Sequence, residues 1–288
     1  MSNSPSHYYV PHDSRWSIVA CVGLFLATFG AALWLNQHSA GTWVLVAGAV
    51  ALAAMFFGWF RNVIHESEHG LYNDQVDKSF RWGMAWFILS EVMFFAAFFG
   101  ALFYSRTLVV PWLAGEGNNF FTNLLLWPGF ENVWPSAGPD AAPDSLEVIS
   151  AWGVPAINTA VLLSSGVTIT VAHHMLIAGR RTALAIWLAA TFVLGIVFLV
   201  LQAHEYIHAY TELDLRLDTG IYGSTFFMLT GFHGLHVTLG TLMLIVIWLR
   251  VLKGHFTPTG HFAFEGVAWY WHFVDFVWLG LFIFVYWV

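Results

Sequence analysis

Residues 222–252 read YGSTFFMLTGFHGLHVTLGTLMLIVIWLRVL. A helix needs about 20 mainly apolar residues to cross the hydrocarbon core of a membrane, and this run is longer than that. It contains no Asp, Glu, Lys or Arg before Arg250, although His233 and His236 lie near its middle. The stretch therefore predicts a transmembrane helix that carries polar groups deep in the bilayer.

Six further apolar runs of similar length occur along the chain. Together with the first, they predict an all-α integral membrane protein with seven transmembrane helices. The seven runs are 16–35, 42–64, 82–104, 154–177, 182–203, 222–252 and 262–288. Pro155 lies at the start of the fourth run, where a missing backbone N–H is tolerated in the first helical turn.

The composition of the 288-residue chain agrees with a membrane location and excludes several other classes. Apolar residues make up 58% of it and charged residues only 9%, where a soluble domain carries about 25% charged residues. The formal net charge of −7 is spread out without a basic patch, which argues against nucleic acid as a partner. The single cysteine, Cys21, excludes an intrachain disulfide and a thiolate metal cluster.

The basic residues predict the orientation of the chain. If the N-terminus is cytoplasmic, Arg106 and Arg216 are the outer cations, and the other eight of the 10 Lys and Arg residues lie on the inner side. The expected organisation is a cytoplasmic tail (1–15), two transmembrane helices (16–64), a cytoplasmic connection (65–81) and five further helices (82–288). An irregular, proline-rich and acidic outer loop is expected within the last part, at 109–150.

Polar residues inside the predicted spans are candidates for function. Glu91 lies well inside the third span, and two pairs, His233 with His236 and His272 with Asp275, lie in the last two spans. Each pair has i, i+3 spacing, so that its members share one helix face. Such groups either join helices by hydrogen bonds or line a proton, oxygen or substrate path, and both interpretations stay open.

Two H-E-x-x-H sequences raise an alternative, a zinc enzyme. They are His65 to His69 and His204-Glu205-Tyr206-Ile207-His208. On a helix this spacing directs two imidazoles at one zinc ion, with the glutamate as general base. The two copies fall at opposite ends of the bilayer, and no third protein ligand is indicated, so we expect no metal site on this chain.

A stand-alone transporter is a further alternative from a different class. It would use Glu91 and Asp275 as coupling carboxylates, because ionisable groups within the membrane often mark transport paths.

The last two spans and several upstream blocks resemble subunit III of the haem–copper cytochrome c oxidases. The blocks that carry the resemblance are 222–227 (YGSTFF), 230–237 (TGFHGLHV), 264–265 (FE), 268–275 (AWYWHFVD), 81–84 (RWGM), 90–95 (SEVMFF), 158–159 (NT), 172–174 (AHH) and 202–206 (QAHEY). In the last of these the family pattern requires Glu205 and Tyr206, not the flanking histidines, which weakens the zinc interpretation.

The resemblance implies a non-redox subunit of a proton-pumping oxidase that oxidises cytochrome c and reduces oxygen to water. Haem A and copper are then expected in the partner subunits I and II, and none on this chain. The helices are expected in two groups, the first two and the last five, forming a V-shaped cleft filled with phospholipid. The implied role is to stabilise the catalytic core, to support proton uptake and to bind lipids. We expect a bacterial inner membrane; subunit III of a quinol oxidase is the nearest alternative, although seven spans favour the cytochrome c enzyme.

The resemblance also implies lipid contacts at the inner ends of two spans. The matching residues are Arg61 and Glu66 in the second span and Arg250, Lys253 and His255 after the sixth. Cations at this interface attract anionic phosphate, although they also occur there without a bound lipid. The chain departs from many relatives at 70–73, where it has Gly-Leu-Tyr-Asn in place of Gly-x-His-Thr. The expected head-group contact of that histidine is therefore absent, and Tyr72 is the remaining donor.

Overall fold

The computed structural model describes residues 9–10, 14–139 and 146–287, and within these ranges the chain is helical with no strand. Seven helices are long and apolar enough to cross a membrane, which confirms the predicted fold class. They are α1 (Trp16–Leu35), α2 (Gly41–Glu68), α3 (Asp74–Tyr104), α4 (Val154–Ile177), α5 (Arg181–Thr211), α6 (Gly220–Leu252) and α7 (Phe262–Leu281).

Several helices extend beyond the apolar runs. The connection expected at 65–81 is largely helical, because α2 continues to Glu68 and α3 begins at Asp74. A helix makes its backbone hydrogen bonds within itself, so it can continue into the polar interface where the apolar run has ended. At the end of α2, Gly70 has φ +65°, a left-handed conformation that glycine adopts without steric cost.

The outer loop expected to be irregular also contains helix. A π-helical turn, Ser105–Val109, joins α3 to the short helix Val110–Leu113, and a second short helix covers Phe120–Leu126. Pro111 is compatible with this short helix because it lies in the first helical turn, where no intrahelical N–H bond is lost. Residues 140–145, with Asp140 and Asp144 of the predicted acidic loop, lie outside the described ranges.

The chain divides into two compact units, Met1–Trp82 and Gly83–Val288. In the first, α1 and α2 pack through glycines. A Cβ atom at Gly30 would clash with the backbone of Leu45, and one at Gly48 would clash with the backbone of Ala27. The two backbones therefore approach closely, which is how small residues hold helices together in a membrane.

The second unit is built around two buried tryptophans of α7. The indole N–H of Trp271 donates to Ser165 Oγ over 2.8 Å, and that of Trp278 donates to Thr159 Oγ1 over 2.9 Å. Both rings are fully buried, and both acceptors lie on α4. Each tryptophan thus buries a large apolar surface and also satisfies its one polar atom.

Candidate functional site

Glu91 and His236 form a polar pair inside the second unit. Glu91 Oε2 on α3 lies 2.9 Å from His236 Nε2 on α6. His236 Nδ1 lies 2.7 Å from the carbonyl oxygen of Phe232, which can only accept, so Nδ1 carries a hydrogen. The contact with Glu91 then holds one proton, on either the carboxyl group or the imidazole. The pair joins α3 to α6 and is able to hold a proton at that point.

Aromatic rings surround this pair. The rings of Phe94 and Phe95 have centroids 5.9 and 5.0 Å from that of His236, and the Tyr270 ring lies 6.4 Å away. His236 is 11% exposed in its side chain and Glu91 is 21% exposed. The polar contact is therefore mostly enclosed by apolar groups, which strengthens its electrostatics.

His233 serves a separate contact. It is completely buried, and its Nε2 lies 3.2 Å from the carbonyl oxygen of Val274 on α7. Its ring packs between Phe198 and Trp278, with centroid distances of 5.6 and 5.1 Å. His233 and His236, although three residues apart, thus contact different helices.

His272 and Asp275 contact each other and α4. His272 Nδ1 lies 3.7 Å from Asp275 Oδ2, and His272 Nε2 lies 3.3 Å from Thr170 Oγ1. The Asp275 carboxylate lies against Gly166, so closely that a Cβ atom there would clash with it. The five intramembrane residues singled out in the sequence therefore fall into three local groups on different helix pairs.

A further buried polar group was not predicted as a unit. The hydroxyl of Tyr286 donates to Glu205 Oε1 over 2.5 Å, and Gln202 Nε2 lies 3.5 Å from the same hydroxyl. Next to it on α5, the Tyr206 hydroxyl lies 2.7 Å from Thr230 Oγ1 of α6. The sequence marked Glu205 through its motif, but nothing in it pointed to Tyr286, which is 81 residues away.

The H-E-x-x-H sequence at 204–208 does not assemble a zinc site. Glu205 points into the protein and is 2% exposed, whereas His204 is exposed and His208 pairs with Glu212 at 3.0 Å. Within the described residues, neither histidine belongs to a group of three potential ligands at metal-binding distance. The geometry therefore places Glu205 in a hydrogen bond with Tyr286 and not beside a metal-bound water.

The residues of the first H-E-x-x-H sequence, at 65–69, are also engaged in contacts with other protein groups. The His65 and His69 rings stack with centroids 4.0 Å apart, and His69 Nδ1 lies 2.7 Å from the His65 carbonyl oxygen. Glu66 Oε2 accepts a hydrogen bond of 2.8 Å from Tyr72. Burial and this bond raise the pKa of the Tyr72 phenol, which keeps it protonated as the donor.

The predicted lipid-binding residues differ in their accessibility. Arg61 is exposed and lines an open groove in the first unit together with Trp16 and His65, and Lys253 is exposed after α6. Glu66 accepts the hydrogen bond from Tyr72.

Arg250, in contrast, is 8% exposed, and its guanidinium lies 4.6 Å from the centroid of the Phe256 ring. His255 is half-buried. Arg61 and Lys253 thus have the freest access to a head group, and Arg250 has an evident packing role.

One group of potential metal ligands does occur in the described part of the chain. It consists of His173 on α4 with His261 and Glu265 at the start of α7. The i, i+4 spacing of His261 and Glu265 was visible in the sequence, but His173 lies 88 residues from His261, and its proximity required the fold.

Taken together, these features define a polytopic helical membrane protein whose spans are joined by aromatic packing and by buried polar contacts. The family model of cytochrome c oxidase subunit III matches residues 6–116 and 118–288. The chain belongs to this family, and it is thus a subunit of an oxidoreductase complex that contains other oxidase subunits.

Similar proteins include cytochrome c oxidase subunit 3 from Dugong dugon, 40% identical over 288 residues. The corresponding proteins of Tragelaphus oryx and Pongo abelii are 39% and 41% identical. Each alignment covers 100% of this chain and 99% of the relative.

Glu91→Leu is expected to destabilise the protein by about 1–2 kcal/mol, because it leaves the enclosed His236 nitrogen without its partner. Glu91→Gln retains a hydrogen-bonding side chain of the same shape and is expected to cost less. The check is the thermal midpoint of both variants in the same detergent. Equal midpoints for the leucine and glutamine variants would contradict a joining role for this contact.

Proposed function

We propose that this chain is the non-redox subunit III of a proton-pumping cytochrome c oxidase in a bacterial inner membrane. Its partners are subunit I, as the main contact, and subunit II, which carry haem A and copper; cytochrome c is the electron donor of the complex. The observation that carries the proposal is the family match over nearly all of the chain. Relatives named for cytochrome c oxidase, aligned over their full length, favour this enzyme over a quinol oxidase.

The contacts of the intramembrane histidines support a non-redox role. His233 Nε2 lies against the Val274 carbonyl oxygen, and His236 uses Nδ1 on Phe232 and Nε2 on Glu91. An axial haem ligand needs a ring nitrogen that faces the iron. Three of the four ring nitrogens instead face protein groups, and the fourth, His233 Nδ1, belongs to a fully buried ring, which fits a supporting scaffold.

Support of proton uptake and binding of structural phospholipids complete the proposed role. Glu91 with His236 is the group best suited to hold a proton, since Glu91 Oε2 and His236 Nε2 lie 2.9 Å apart and can share one. Arg61 and Lys253, both exposed, are the cations best placed for anionic phosphate. In the proposed orientation the N-terminus lies on the cytoplasmic side and the C-terminus in the periplasm. The alternative of an intramembrane zinc hydrolase lacks support, because Glu205 accepts a hydrogen bond from Tyr286, His204 is exposed and His208 pairs with Glu212.

The proposal is tested by purifying the tagged chain in mild detergent and recording a reduced-minus-oxidised optical spectrum. The expected result is a haem A spectrum together with two larger subunits. Harsher detergent that strips the chain of its partners should remove the colour from it. A colourless eluate without larger subunits, under conditions in which the host's own oxidase stays intact, would contradict the proposal.

A further inference from the structure

His173, His261 and Glu265 bring three metal-ligating atoms together where α4 meets the start of α7. His173 Nε2 lies 3.3 Å from His261 Nε2 and 3.7 Å from Glu265 Oε1, and His261 Nε2 lies 3.1 Å from the same oxygen. Zinc binds nitrogen and oxygen at about 2.0–2.1 Å in a tetrahedral site, which places neighbouring ligand atoms about 3.3 Å apart. The three observed separations are close to this value, and a point about 2.0 Å from all three atoms exists between them.

The hydrogen bond of His261 with Thr257 determines which ring nitrogen can face a cation. His261 Nδ1 lies 3.0 Å from the carbonyl oxygen of Thr257, which only accepts, so the hydrogen of a neutral His261 is on Nδ1. Its Nε2 then presents a lone pair to the carboxylate oxygen of Glu265. A cation placed between this nitrogen and this oxygen, which lie 3.1 Å apart, would be attracted by both.

The same hydrogen bond is the kind of outer contact that prepares a histidine for a metal. A metal-bound histidine usually donates its other N–H to a carbonyl or carboxylate, which fixes both the tautomer and the ring orientation. The contact of His261 with Thr257 has this form.

The burial of the three side chains suits a small ion with restricted access. The His261 and Glu265 side chains are 10% and 14% exposed, whereas that of His173 is 31% exposed. The His173 ring also packs on Phe264, with centroids 5.6 Å apart. Two ligands are therefore mostly enclosed, and the third is partly exposed.

We propose that His173, His261 and Glu265 bind a divalent transition metal, with Zn²⁺ as the best fit, which clamps α4 to the start of α7. Two imidazoles and one carboxylate are a ligand set that zinc accepts, with water or a group from a partner in the fourth position. This site is distinct from both H-E-x-x-H sequences and does not depend on the proposed oxidase function.

The test measures zinc bound to the intact purified complex. The complex is stripped with a chelator, dialysed against zinc sulfate and washed, and zinc per copy of the chain is measured by mass spectrometry. Glu265→Gln and His261→Ala are compared with wild type. The matched control is His174→Ala, which removes the adjacent imidazole of the same helix. Residues one apart point about 100° from each other on a helix, so His174 is not directed at the group.

Wild type and His174→Ala are expected to bind one zinc more per chain than Glu265→Gln and His261→Ala. X-ray absorption at the zinc edge should show nitrogen and oxygen neighbours at about 2.0 Å in the zinc that the variants lose. Equal zinc in all four proteins would overturn the proposal.

Variants that disturb assembly are kept apart from variants that lose the ion. Zinc is counted in complexes that retain every subunit on size-exclusion chromatography, and Glu265→Gln is the main variant because it preserves the shape of the side chain. As a second measurement, added zinc sulfate should raise the thermal midpoint of wild type and of His174→Ala but not that of Glu265→Gln. A zinc-induced rise of the same size in Glu265→Gln would equally overturn the proposal.

Discussion

Gly240→Leu is expected to prevent the second unit from packing, with a loss of about 3 kcal/mol or more in stability. Trp271 of α7 is held between two glycines. A Cβ atom at Gly195 of α5 would lie 2.8 Å from its ring, and one at Gly240 of α6 would lie 2.9 Å from it. Real Cβ atoms do not approach an aromatic ring so closely. The ring is fully buried and bonded to Ser165, so it has no alternative position.

The measurement is the yield of monodisperse protein and its thermal midpoint after extraction in mild detergent. Gly234→Leu is the matched control, since it makes the same change on the same helix at a position with nothing within 4 Å of the added Cβ. We expect the control to retain wild-type yield. If both leucine variants behave alike, helix propensity or insertion would explain the loss, and the packing of Trp271 would not.

Tyr286→Phe is expected to destabilise the protein by about 1–2 kcal/mol, although it removes a single oxygen atom. The Tyr286 hydroxyl donates over 2.5 Å to Glu205, a carboxyl group that is only 2% exposed. Water cannot replace the lost donor at such a site, so the carboxyl group keeps its desolvation cost without compensation. Tyr210→Phe, on the exposed side of α5, is the matched control and should be neutral.

A double replacement distinguishes the lost hydrogen bond from poor packing. Glu205→Met together with Tyr286→Phe removes both partners and fills the space with apolar atoms, so it should be more stable than Tyr286→Phe alone. Thermal midpoints of the single and double variants, measured in one detergent, give the coupling directly. Additive losses would show that Glu205 and Tyr286 contribute independently.

Most of the fold was predictable because transmembrane helices are local structures. A helix satisfies its backbone hydrogen bonds within one segment, and the bilayer requires that segment to be long and apolar. Runs such as 154–177 and 16–35 therefore gave helix bounds that agree with α4 and α1. The predicted end of α2 and the predicted start of α3 were less accurate, since α2 continues to Glu68 and α3 begins at Asp74. Polar residues can continue a helix at the interface, and an apolar run does not include them.

The composition of the candidate site was only partly predictable. The sequence singled out Glu91, His236 and Asp275 because polar residues inside apolar runs are conspicuous. It could not pair Glu91 with His236, which are 145 residues apart, or Glu205 with Tyr286. The zinc interpretation of residues 204–208 used a real helical spacing but could not determine which side of α5 faces the protein.

The sequence by itself determined the membrane class, the seven spans and the family, because these depend on runs of residues and on motifs that lie close together in the chain. Tertiary structure alone decided which polar groups meet: Glu91 with His236, Tyr286 with Glu205, and His173 with His261 and Glu265. The physical reason is that such contacts depend on the rotation of each helix about its axis. That rotation is set by the packing of large rings such as Trp271 against glycines on other helices.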